Sequence, residues 1–198
     1  MKHGFLYGQF LFTVSLFFIA CNTTKIEPTR VETFAPNHVN EYVQKELTKN
    51  SSDISPCCCV SISESLFPNA NRYQLDTPKI FFRVENSGFY INTKYFFSVD
   101  DSIVRAILYE WDWPKHRLTF SEKLSPERST SNKLLAKYHM LVEGLKEGLG
   151  EPASHTIVEE DFYRESYGWN QDESSKAYIF ILGDKQKNFY RLRLLTYE

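Results

Sequence analysis

Between Ser131 and Gly150, the apolar residues Leu134, Leu135, Tyr138, Leu141, Val142, Leu145 and Leu149 recur at helical spacing. Thr130 or Ser131 can cap the start of this helix, and Gly148 or Gly150 followed by Pro152 stops it. Lys133, Lys137, Glu143, Lys146 and Glu147 fall on its other face and are expected in water. A shorter helix is expected from Asn37 as cap, with Val39, Tyr42, Val43 and Leu47 on one face and Asn50–Asp53 ending it.

Elsewhere the period is two. Cys57–Ile62, Lys79–Glu85, Phe89–Val99 and Ile103–Trp113 read as strands before the long helix. His155–Phe162, Lys176–Leu182 and Asn188–Tyr197 read as strands after it. Asn86-Ser87-Gly88 has the composition of a hairpin turn, with Gly88 supplying the positive φ, and Asp100-Asp101-Ser102 makes another turn. Short links between strands favour antiparallel pairing. The expected fold is therefore α+β: a mainly antiparallel sheet with one long helix packed on one face.

The N-terminus follows neither period. Met1-Lys2-His3 precedes an apolar stretch of about 17 residues, at the short end of what spans a bilayer. That stretch ends in Phe18-Ile19-Ala20-Cys21, which resembles the lipobox of bacterial lipoproteins. The resemblance covers residues 1–21 only and carries Phe18 where that family usually has Leu. It implies cleavage before Cys21, a diacylglycerol on the Cys21 thiol and acylation, as by palmitate, of the new amine. Several acyl chains hold a protein firmly on a membrane. Asn22 is not the Asp that resembles an inner-membrane retention signal, so the resemblance implies an outer-membrane anchor facing the periplasm. The expected organisation is a signal peptide over 1–20, a flexible tether over 21–36 with Pro28 and Pro36, and one domain over 37–198.

The formal net charge is −2, and losing the leader with Lys2 makes the mature chain slightly more acidic. That balance gives no electrostatic reason to seek nucleic acid. Apart from Cys21, the cysteines are consecutive: Cys57, Cys58 and Cys59. They read as a buried strand of small residues or, alternatively, as redox-reactive or intermolecular thiols. No His or Asp stands at ligand spacing beside them, so no metal site is expected, and no motif implies a cofactor.

No phosphate-binding glycine loop, His-Glu-x-x-His or Gly-x-Ser-x-Gly motif occurs. Glu110 and Asp112 share one face of a strand, and His155 alternates with Glu159 and Asp161 on another. The His155 group reads as a wet strand face, with a metal or proton-transfer cluster as the sharper alternative, whereas a strand sets Glu110 and Asp112 roughly 6–7 Å apart, between the separations of retaining and inverting glycosidases. Trp111, Trp113 and Trp169 near strand ends either close the core or form an aromatic platform for a sugar or a partner. Arg191 and Arg193 share a face and await acids across the sheet.

Two functions follow as expectations. The first is a non-enzymatic envelope lipoprotein that binds or assembles with a protein partner. The alternative is a glycan or cell-wall binding module or hydrolase, using Glu110 and Asp112 beside Trp111, Trp113 and Trp169. Whether the chain self-associates is left open by the sequence.

Overall fold

The computed structural model describes residues 34–57, 60–64, 66–67, 70–112, 128–160, 162–169, 176–184 and 189–198. The leader, Cys21, Cys58, Cys59, Trp113, His116, Asp161, Asp172 and Glu173 lie outside them. Among the described residues two α-helices, α1 (Val39–Thr48) and α2 (Arg128–Leu149), accompany eight strands. These are β1 (Ser52–Asp53), β2 (Lys79–Val84), β3 (Tyr90–Phe97), β4 (Val104–Asp112), β5 (Ser154–Glu159), β6 (Tyr163–Trp169), β7 (Lys176–Asp184) and β8 (Phe189–Tyr197).

All eight strands join one sheet in the order β1-β2-β3-β4-β8-β7-β6-β5, and every pairing is antiparallel. Two meanders therefore meet where β4 pairs with β8. Ala106 stands opposite Tyr197 there, and Trp111 opposite Leu192. The β2–β3 hairpin closes over Asn86-Ser87-Gly88, with Gly88 at φ 84° and its N–H donating to the Glu85 carbonyl at 2.8 Å.

Alternation along β4 sends Ile107, Tyr109 and Trp111 to one face and Ala106, Leu108 and Glu110 to the other. Both helices lie on the first face, so the sheet carries two helices there. On α2, Leu134, Tyr138, Leu141, Val142 and Leu145 pack against Ile91, Trp111, Ile179, Ile181, Leu192 and Leu194. The expected stripe is the buried one. Gly150, at φ 82°, follows the last turn and its N–H returns to the Lys146 carbonyl at 2.9 Å. On α1, Val39 and Tyr42 pack against Phe81, Tyr95 and Ile107.

The second face has an apolar half of its own. Phe96, Ala106, Leu108, Leu195 and Tyr197 are covered by Phe67 and its neighbours Ile62, Leu66, Ala70, Tyr73 and Leu75. This covering explains why the expected strand over Cys57–Ile62 does not form in its described part. Pro56 precedes the segment, and its Ile62 packs onto the sheet face instead of pairing at an edge. Cys57 is exposed rather than buried.

The region after α2 also differs from expectation. Three strands were expected there, and four form, because His155–Phe162 is the first half of a β5–β6 hairpin. On β6, Tyr163, Glu165, Tyr167 and Trp169 face the helices. A carboxylate in the apolar register, Glu165, hides this strand in the sequence.

Candidate functional site

Trp111 and Trp169, the two described tryptophans, do not form a platform. Trp111 is 1% exposed and Trp169 4%. The indole N–H of Trp111 donates to Glu85 Oε1 at 3.0 Å, and that of Trp169 to the Gly150 carbonyl at 2.8 Å. Both are core residues with satisfied polar ends, so neither indole offers a face beside Glu110 and Asp112. Glu110 is itself engaged, 2.7 Å from Lys94 Nζ and 2.9 Å from an Arg193 terminal nitrogen. The structure thus brings Arg193 to the acid across the sheet, and Trp111 points away from both carboxylates.

Two buried ionic groups hold the helices to the sheet. Glu46 on α1 is fully buried, where periodicity had favoured Leu47, which is exposed. Its carboxylate accepts from Tyr95 Oη at 2.7 Å, from Arg83 at 3.0 Å and from Ser51 Oγ. Burial alone pushes the Glu46 carboxyl up, but the bonds from Ser51 and Tyr95 and the charges of Arg83 and Lys49 outweigh it and hold the group below its ordinary value. Burial first, and then the same carboxylate, pushes the Tyr95 phenol upward. Lys137 on α2, expected in water, is 2% exposed, 2.7 Å from Glu85 Oε2 and over the Trp111 ring.

A third buried carboxylate sits at the sheet margin. Glu165 on β6 is 6% exposed. It accepts from Tyr163 Oη, lies 3.1 Å from His155 Nε2, and takes a further bond from Tyr167. The His155 ring stacks flat on Tyr167, 4.0 Å between centroids. Burial raises the Glu165 carboxyl, but these three hydrogen bonds and the nearby His139 hold it below its ordinary value. The Tyr138 hydroxyl, on α2, is buried without a hydrogen-bond partner among the described residues. Burial first, then Glu165 and the neighbouring tyrosines, push that phenol upward. His155 was expected to group with Glu159 and Asp161; it faces Glu165 across the β5–β6 ladder instead. The fixed carboxylate and stacked imidazole brace the hairpin.

The other side of that hairpin is the open margin of the sheet. All six β5 residues are exposed, including Ile157 at 52% and Val158 at 37%, and Phe162 in the turn is exposed at 57%. The opposite margin, β1, is two residues long and carries Asp53. Short, charged edges resist strand addition, whereas a six-residue edge with apolar side chains on both faces invites it. β5 is the candidate docking strand.

An open pocket of about 420 Å³ lies by the segment crossing the second face, lined in part by Val60, Ile62, Glu64, Asn71, Tyr73 and Asp76. Among the described residues its lining includes no histidine, cysteine, lysine or arginine. Among the described residues no three His, Cys, Asp or Glu side chains are grouped to hold a metal ion, and no helix is long and apolar enough to cross a membrane. No family model, curated protein or solved structure matches the chain.

Proposed function

We propose that this chain is a lipid-anchored protein of the cell envelope whose single α+β domain binds another protein, with the exposed edge of β5 as its docking strand. The observation that carries the reading is the run of six exposed residues at the margin of an eight-stranded sheet, with Ile157 half exposed and, among the described residues, no neighbouring strand on its outer side. An added strand satisfies the backbone groups of that margin, and alternate side chains supply specificity. The β5–β6 bracing supports the same reading. Glu165, held by Tyr163, Tyr167 and His155, fixes the hairpin's geometry, so little order is lost when a strand docks.

The anchor supplies the location. Phe18-Ile19-Ala20-Cys21 supports lipidation at Cys21, and the residues between Cys21 and Phe34, which is itself packed in the core, tether the domain off the outer membrane into the periplasm. In the native host, intact-mass measurement should find a chain that begins at Cys21 and carries acyl groups, and Cys21→Ala should release the protein from the membrane fraction. Membrane extracts should yield a co-purifying protein that is lost with Ile157→Lys. An intact leader with a bare Cys21 contradicts the anchor; recovery unchanged by Ile157→Lys contradicts the docking strand.

A further inference from the structure

The register with β6 sends His155, Ile157 and Glu159 to the helix-bearing face of β5, and Ser154, Thr156 and Val158 to the other. The strand is self-complementary about its fourth residue. A second β5 laid antiparallel, with Ile157 opposite Ile157, sets Val158 opposite Thr156 and Glu159 opposite His155, each twice by symmetry. The apolar side chain meets its own copy and the carboxylate meets the imidazole, pairings that favour a strand pair. Moving the axis to Thr156 sets His155 against Ile157 and loses both matches.

We propose that β5 takes a second copy of this chain, joined edge to edge through antiparallel β5 strands with the two-fold axis at Ile157. The inference rests on the reading of β5 as a docking strand and names its occupant. The imidazole of His155, already 3.1 Å from Glu165, then lies between that carboxylate and Glu159 of the second copy. Because the axis runs normal to the sheet, the helix-bearing faces of both copies lie on one side. Phe34 packs on that face with Val39, Tyr95 and Ile107. Both chains therefore lead toward their N-termini from the same side, as two anchors in one bilayer require. Confinement to that bilayer also raises the effective concentration of each copy for the other.

The test uses the full-length, acylated chain in detergent micelles. Sedimentation should give the mass of two chains, and Ile157→Lys should weaken association by roughly tenfold or more, because two ammonium groups then face each other. Ile157 is half exposed in the single copy, so circular dichroism of the variant should match that of the parent. In a chain with Cys57, Cys58 and Cys59 replaced by serine, Ile157→Cys should oxidise to a linked dimer. Val158→Cys, whose opposite residue is Thr156, should not.

A single-chain mass at every concentration, a dimer indifferent to Ile157→Lys, or linkage through Val158→Cys in place of Ile157→Cys overturns the proposal. If the chain is monomeric yet Ile157→Lys still abolishes recovery of a different envelope protein, the second copy is excluded and the docking strand stands. If Ile157→Lys changes neither, both fail.

Discussion

The phenol of Tyr95 donates to Glu46 Oε1 at 2.7 Å, joining the middle of the sheet to a fully buried carboxylate on α1. Because the folded-state pKa of Glu46 lies below its ordinary value of 4.5, folding favours the ionised form. The stability this contributes is complete above about pH 4.5 and is lost as pH falls through the folded value. Urea titrations from neutrality down to about pH 3 should show stability falling, with a shallower fall in Glu46→Gln. At neutral pH, Glu46→Ala should cost about 3–5 kcal/mol, because Arg83 then keeps its charge in a largely buried place without this partner.

Lys137 and Lys133 share a helix and differ in what surrounds them. Lys137 is 2% exposed and paired with Glu85, whereas Lys133 is exposed. Lys137→Ala should lower the unfolding free energy by about 3 kcal/mol or more, since it leaves the Glu85 carboxylate at the Trp111 indole without its cation. Lys133→Ala should stay within about 0.5 kcal/mol. Equal effects of the two, read from urea midpoints, contradict the burial of Lys137.

The burial of Trp111 and Trp169 has an optical signature. In a chain with Trp113 replaced by phenylalanine, the emission of the remaining two should be blue-shifted and resist acrylamide until the domain unfolds. Adding oligosaccharide should change neither the spectrum nor the quenching. Ready quenching in the folded chain would return the aromatic platform to consideration.

Much of the fold was legible because its period is strong. The stripe from Leu134 to Leu149 specifies α2, and Gly88 marks a hairpin only a positive φ can close. What was hidden lies where polar side chains occupy apolar positions. Glu46 took the buried place expected of its neighbour Leu47, because Ser51, Arg83 and Tyr95 satisfy a carboxylate there. Glu165 interrupted the alternation of β6 for the same reason, its partners coming from His155 and two tyrosines. Such partners are set by cross-strand register, which no local window contains. The docking strand was equally hidden: His155–Glu159 reads as an ordinary strand, and only the sheet order places it at the margin.

The account turns on protein contact at β5, and photo-crosslinking in the native envelope tests it most directly. A photoreactive residue at Ile157 should yield discrete crosslinked protein products, with the second copy among them. The same residue at Leu47, which is 53% exposed against 52% for Ile157, controls for simple accessibility. Products at Ile157 and none at Leu47 are the result expected. Equal yields at the two positions, or none at Ile157, contradict a docking strand at that margin.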